Sequence, residues 1–184
     1  MKIDTLRLEA FLTADECRLI VAEIRAATGK EAVVYGSAKA VDPSIRRALI
    51  TAVSDETLAT VSGRLTELKP ALEENFQVSL SAFEPPQFLH YRQGDFFVAH
   101  QDGNTRLIPD DTLGRKVSVS IFLNNRAEYS GGSLVFHGAY PDWEYRQDAS
   151  GEAGTLVAFR SETTHEVTPI TEGERFAIVA WLRE

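Results

Sequence analysis

A single cysteine, Cys17, excludes any disulfide within the chain. The sequence therefore reads as that of a protein of a reducing compartment, with the cytoplasm as the expected location. A free cysteine packs as a small hydrophobe, and Cys17 is expected to be a buried helix residue. Long apolar runs are also missing: none approaches the ~18–20 residues of a membrane span. Met1–Ala10 carries Asp4 and Glu9 and has no apolar segment of the secretory kind, so neither anchor nor leader is expected. Positive charge is scarce as well. Lys and Arg number 19 against 27 Asp and Glu, a net charge of -8, and no basic stripe is present, which argues against general nucleic-acid binding. Linkers, repeats and low-complexity segments are absent, so residues 1–184 are read as one domain. A hydrophobic share of 43% is enough to bury a substantial core.

The chain changes character near Pro85-Pro86. Before it the periodicity is helical, and a helical support over about 1–84 is expected. Thr13-Ala14-Asp15-Glu16 has the form of a capping box, followed by Cys17, Ile20, Val21 and Ile24 at helical spacing. A second helix is expected from Ser54, with Leu58, Val61, Leu65 and Leu68 as its apolar stripe and Pro70 as a kink or a fresh start. Ala32–Tyr35 reads as a strand between them. After the prolines the period becomes two. Strands are expected over Gln87–Tyr91, Phe96–Asp102, Val117–Leu123, Ser133–Phe136, Trp143–Arg146, Thr155–Phe159, Glu166–Ile170 and Arg175–Leu182. Short strands following helices predict an α+β, mainly β fold: a jelly roll, or double-stranded β-helix, over about 85–184 with the N-terminal helices packed on one sheet. In Val117–Leu123 the valine, isoleucine and leucine positions share one face and Ser118, Ser120 and Phe122 the other. In the last strand Phe176, Ile178, Ala180 and Leu182 form the apolar face, which directs Arg175, Ala177, Val179 and Trp181 inward.

The inward faces carry the chemistry. His100 and Asp102 leave the same side of a strand. Two histidines and one carboxylate on adjacent corners of an octahedron form the facial triad of non-haem Fe(II) oxygenases. Of the remaining histidines, His90, His137 and His165, the last opens a strand and is the best distal ligand. His90 alternates away from Tyr91 and reads as structural; His137, before Gly138, reads as an exposed turn residue. Arg175 follows His165 by ten residues, and the turn at Glu172-Gly173 sets the two on neighbouring strands. Its planar, permanently charged fork suits the far carboxylate of a dicarboxylic 2-oxo acid whose other end chelates the metal. Arg46-Arg47 reads first as a solvated pair, with a place flanking the active site as the alternative, and residues 103–114 read as a lid over the site.

These segments resemble the prolyl-hydroxylase branch of the 2-oxoglutarate/Fe(II) dioxygenases. Tyr91 through His100-Gln101-Asp102 is similar to that branch's tyrosine, glycine and H-x-D pattern. Ser118–Asn124 is similar to its core strand, and Gly131-Gly132-Ser133-Leu134 to its double-glycine turn. His165-Glu166-Val167, Pro169, Arg175-Phe176-Ala177-Ile178 and Trp181 are similar to the C-terminal signature of the oxygen-sensing prolyl hydroxylases. The resemblance runs from about residue 87 to the end. It implies iron at His100, Asp102 and His165, 2-oxoglutarate anchored by Arg175 with a hydrogen bond from Tyr91, and substrate contacts from Arg115 and Trp181. It further implies O2 as oxidant, ascorbate as an accessory reductant, and oxidative decarboxylation of 2-oxoglutarate coupled to hydroxylation. Asp102 fills the position a halogenase leaves open for halide. Phe122 and Val179 stand where oxygen-sensing relatives have a tyrosine and a threonine, which alters the contacts to the co-substrate.

The substrate implied first is a prolyl residue in a protein or peptide; a free amino acid or other small molecule is the alternative. Repair of alkylated nucleic acid fits poorly with the acidic balance. Rival readings are a non-catalytic jelly roll that binds metal or ligand and an interaction domain without metal. No membrane partner is expected, and nothing in the sequence speaks to oligomeric state.

Overall fold

The computed structural model describes residues 3–33, 41–103, 111–139 and 141–184. In chain order its elements are β1 (Thr5–Leu8), α1 (Ala14–Ala26), β2 (Lys30–Glu31), β3 (Arg46–Arg47), β4 (Leu49–Thr51), α2 (Asp55–Phe76), β5 (Ala82–Phe83), β6 (Gln87–Tyr91), β7 (Phe96–His100), β8 (Arg115–Phe122), β9 (Tyr129–Gly131), β10 (Leu134–His137), β11 (Arg146–Asp148), β12 (Leu156–Arg160), β13 (His165–Val167), β14 (Ile170–Gly173) and β15 (Arg175–Arg183).

Local chemistry accounts for both helices. The Thr13 hydroxyl accepts from the Glu16 amide while the Glu16 carboxylate accepts from the Thr13 amide, satisfying orphan donors at both ends of the box. Ser54 caps α2 through the Thr57 amide, and Gln77, in the left-handed conformation, ends it. Pro70 lies within this one helix and neither breaks it nor starts another.

Eight strands form the larger sheet, in the order β1-β12-β8-β15-β6-β4-β2 with β5 paired to β15; β11-β10-β13-β7-β3 form the smaller one. The jelly-roll architecture agrees with the expectation, and α1 and α2 cover the outer face of the larger sheet. Val117, Val119, Ile121 and Leu123 of the β8 segment join Phe176, Ile178, Ala180 and Leu182 of β15 against Ile20, Ile24, Val61, Leu65 and Phe76. The opposite faces of β8, β12 and β15 look toward the smaller sheet, where Phe122, Leu134, Phe136, Val157 and Phe159 pack together.

Several boundaries differ from the sequence expectation. The described part of the first 84 residues contributes five strands as well as helices; β1 extends the larger sheet beside β12 and β4 extends it beside β6. The strand expected over Ala32–Tyr35 is Lys30–Glu31 instead, and residues 34–40 lie outside the described part. The expected strand Glu166–Ile170 is two strands, β13 and β14, since Pro169 has no amide to continue a ladder. The strand expected at Trp143–Arg146 begins at Arg146 and leaves Trp143 exposed. The double-glycine turn does require glycine: Gly131 has φ 74° and a Cβ there would lie 2.0 Å from the Pro169 carbonyl oxygen, while one at Gly132 (φ 61°) would lie 2.3 Å from Ile170 Cδ1.

The α2 stripe offers a direct test of this packing. Leu65 is fully buried, whereas Leu58 is 37% exposed. Leu65→Ala is expected to cost about 2–5 kcal/mol in urea-unfolding free energy, and Leu58→Ala less than about 1 kcal/mol. Equal losses at both positions would contradict the helix orientation.

Candidate active site

Two pairs of facing strands build the site. In the smaller sheet β13 runs antiparallel to β7 with His165 opposite His100. In the larger sheet β15 runs antiparallel to β6 with Arg175 opposite Tyr91. The His100, Asp102 and His165 ligand atoms all lie within 4.8 Å of one another. His100 Nε2 is 3.5 Å from one Asp102 oxygen and His165 Nε2 is 3.5 Å from the other. Octahedral metal–ligand bonds of about 2.1 Å separate adjacent ligand atoms by about 3 Å, so the three donors need only a small inward adjustment to hold one ion.

Backbone carbonyls set the ring orientations. His100 Nδ1 lies 2.7 Å from the Val98 oxygen and His165 Nδ1 lies 2.9 Å from the Thr163 oxygen. A carbonyl only accepts, so each Nδ1 carries a proton and Nε2 is the ring nitrogen left for a metal. Phe97 stacks on His100 at 3.4 Å between centroids, and Phe159 meets His165 edge-on at 4.7 Å. Asp102 is held through its backbone: its amide donates to the Ser161 carbonyl, and its own carbonyl accepts from Arg115 Nη1.

Burial opposes ionisation of Asp102. Attraction to His165, a hydrogen bond and attraction from His100, and a hydrogen bond from Ser118 outweigh it and hold the carboxyl far below the usual carboxylate range. His165 moves the other way. Burial, with a smaller contribution from His100, lowers its pKa from 6.5 to about 4 against the pull of Asp102 and the Thr163 carbonyl. Both shifts favour the forms a cation needs: an ionised carboxylate and a neutral imidazole.

The cavity beside these residues is lined by Leu89, Tyr91, Leu134, Val179, Trp181 and Arg175 among others. Arg175 is 1% exposed and sits between the rings of Tyr91 and Phe122, 5.1 and 5.2 Å from their centroids. Its Nε has no hydrogen-bond partner, and among the described residues no carboxylate pairs with it. A buried guanidinium without a counter-charge is costly, and it calls for an anion in the cavity. The donor set therefore fits an octahedral metal and the unpaired arginine fits a carboxylate. The free space is narrow, about 40 Å³, room for a few waters, so a dicarboxylic acid enters only if lining side chains shift.

Other expected residues fall as follows. Trp181 is buried and lines the cavity. Arg115 does not line it: its guanidinium stacks 4.0 Å over Trp181 and is engaged by Glu84 at 2.6 and 2.8 Å. His90 is structural, stacked on Phe176 and hydrogen-bonded to Glu174. His137 is not exposed as expected; it ends β10 with 13% of its side chain accessible and meets Glu166 at 3.0 Å. Arg46-Arg47 is not a solvated pair, for β3 turns Arg46 into the cavity and leaves Arg47 exposed. The lid expected over 103–114 falls largely on 104–110, outside the described residues; 111–114 form a short 3-10 helix. The sequence reading missed Phe97, Phe159 and Glu84 and placed Arg46 beside the site only as an alternative; only the alternation within β3 distinguishes Arg46 from its neighbour.

The His165 shift has a consequence for the metal-free protein. Above pH 6.5 the imidazole is neutral in both folded and unfolded chains. As pH falls, the unfolded chain takes up the proton first and the folded one resists until about 4. Stability is therefore complete above 6.5 and declines as pH drops toward 4, on the order of 2–3 kcal/mol. Chelator-treated protein should show this slope in urea unfolding, and His165→Gln should flatten it; an unaltered slope in the variant would refute the assignment.

Comparison with known proteins agrees with this geometry. Residues 86–183 match the family model described as the 2OG-Fe(II) oxygenase superfamily. A PKHD-type hydroxylase of Shewanella baltica is 37% identical over 101 residues, 55% of this chain and 43% of that protein. One from Paraburkholderia phytofirmans is 35% identical over 100 residues, 54% of this chain and 42% of that protein. The match thus spans less than half the length of these relatives. Among solved structures, a Pseudomonas putida prolyl-4-hydroxylase superimposes with a TM-score of 0.77 at 28% identity, covering 100% of this chain and 94% of that one. A Trichoplax adhaerens prolyl hydroxylase in complex with a hypoxia inducible factor peptide fragment shares the fold, with a TM-score of 0.74 at 16% identity over 98% of this chain and 83% of that one. With the family model covering more than half of its length, and a His-Asp-His cluster at the sheet interface, the chain belongs to the 2OG-Fe(II) oxygenase superfamily.

Proposed function

We propose that the protein is a hydroxylase that couples oxidative decarboxylation of 2-oxoglutarate to oxygen insertion into a C–H bond, with a prolyl residue in a protein or peptide as the substrate. One observation carries this reading: a single cavity joins a His-Asp-His cluster to a buried arginine that has no carboxylate partner among the described residues. In this assignment His100, Asp102 and His165 hold iron(II), and Arg175 binds the far carboxylate of 2-oxoglutarate with Tyr91 beside it. The whole of 1–184 acts as one domain. A cytoplasmic location is consistent with the free, buried thiol of Cys17.

Bound iron and 2-oxoglutarate supply the power to activate O2. The chain supplies position and electrostatics. His100 and His165 offer fixed Nε2 lone pairs, because Val98 and Thr163 hold their Nδ1 protons. Asp102 remains ionised and contributes negative charge to the ion. Arg175, between the rings of Tyr91 and Phe122, would orient the far carboxylate of the co-substrate, without the hydroxyl that a tyrosine at position 122 would add. Val179 and Trp181 close the apolar side of the cavity and limit water. The prolyl substrate is favoured by the names of similar proteins, a prolyl-4-hydroxylase and PKHD-type hydroxylases; a free amino acid is the second reading.

Anaerobically prepared protein given Fe(II), 2-oxoglutarate, ascorbate and air should form succinate. Asp102→Ala should abolish iron-dependent turnover. Arg175→Gln should weaken 2-oxoglutarate binding by about 100-fold or more, the scale of a broken buried ion pair. Absence of both succinate and 2-oxoglutarate binding would overturn the reading and leave a ligand-binding jelly roll.

A further inference from the structure

The cavity holds a second buried cation, Arg46. It is 5% exposed and lines the cavity with Phe97, His100 and Asp102. β3 pairs with β7 so that Arg46 lies opposite Phe97, and its guanidinium sits 4.8 Å over the Phe97 ring. Phe97 in turn stacks on His100. The guanidinium is thus separated from a metal-ligand candidate by one aromatic layer.

Its hydrogen bonds are incomplete. Nη1 donates to the Val33 carbonyl at 3.2 Å, while Nε is buried with no partner. Among the described residues no carboxylate pairs with it. The preceding segment, 34–40, contains no acidic residue and adds Lys39. A guanidinium removed from water without a counter-charge is costly, and here Nε, an atom that can take part in a bidentate pair with a carboxylate, has no partner.

We propose that Arg46 selects the substrate by pairing with a carboxylate carried close to the carbon that is hydroxylated. This rests on the reading given under Proposed function, and it narrows the substrate class. 2-Oxoglutarate has two carboxylates: one is assigned to Arg175 and the other to the metal. Arg46 is a separate cation on the other sheet, so its anion belongs to the substrate. Two sources carry that chemistry: the α-carboxylate of a free imino acid, and an acidic side chain beside proline in a peptide.

The test uses the full chain loaded with Mn(II) and 2-oxoglutarate under argon, so that binding is read without turnover. Probes are L-proline against L-prolinamide, and capped five-residue peptides with Glu or Gln on either side of a central proline. Affinity is read by calorimetry in wild type, Arg46→Gln and Arg46→Lys. The expected result is at least a tenfold preference of wild type for the carboxylate member of one pair. Arg46→Gln should lose this preference, and Arg46→Lys, which keeps the charge and guards against misfolding as the cause, should retain part of it. Preference confined to L-proline assigns a free imino acid; preference confined to a Glu peptide assigns an acidic peptide. Wild type that shows no preference in any pair, including no binding of any probe, overturns the proposal, as does a preference that survives in Arg46→Gln. 2-Oxoglutarate binding, measured in parallel, separates the two readings. Dependence on Arg175 but not Arg46 supports both assignments. Loss in Arg46→Gln to the same degree as in Arg175→Gln makes Arg46 a co-substrate residue and overturns this one. Failure of wild type to bind 2-oxoglutarate at all overturns the hydroxylase reading itself, and with it this inference.

Discussion

Antiparallel register is the constraint on which the site depends. His165 stands opposite His100 in the β13–β7 ladder, whose register shifts between His165 and Val167, and Arg175 stands opposite Tyr91 because β15 and β6 pair in one register. Side chains alternate with a period of two, so a slip of one residue in either pair would send half of the site into the opposite face of its sheet. In β15 that opposite face is already committed. Phe176, Ile178, Ala180 and Leu182 fill the core beneath α1 and α2, and none of them could be exchanged for Arg175 without burying a charge in an apolar layer. The helices act on the site by this route: their apolar stripes fix which face of β15 looks inward.

Given that register, the electrostatics of the cavity follow from burial. Asp102 is stabilised as an anion by two imidazoles and a serine, and His165 as a neutral ring by its removal from water. Those are opposite shifts in two residues whose side chains nearly touch, and both serve cation binding. Arg115 is a contrast to the two cavity arginines. It too is buried, but Glu84 meets its guanidinium and its remaining reach goes to the Asp102 carbonyl and the Trp181 face. A satisfied arginine supports the loop that carries Asp102. Among the described residues Arg175 and Arg46 have no such carboxylate partner.

The motifs legible in the chain were those with local physical signatures. The capping box at Thr13, the period-two strands from Gln87 onward, the apolar face of β15 and the pairing of His100 with Asp102 all depend on residues near one another in sequence. Their geometry follows from backbone periodicity, whatever surrounds them. The same local reading failed where a neighbour far along the chain decides the outcome. His137 looked like a turn residue because Gly138 follows, yet Glu166 and strand β13 draw it inward. Pro70 allowed a kink or a fresh helix, and of these the fresh start is excluded because α2 continues through it to Phe76, packed on the core.

The sequence by itself therefore determined the residue types of the His-Asp-His cluster, the inward and outward faces of β8 and β15, and the lack of a second cysteine or an apolar span in the chain. Only the tertiary structure decided which distant residues meet. It brought His165 to His100 across β13 and β7, divided Arg46 from Arg47 by a strand of two residues, and left two buried guanidiniums without a carboxylate partner among the described residues. The physical reason is one of range. Alternation and capping are set within a few residues, whereas burial of a charge and the supply of its partner depend on every element that closes the cavity.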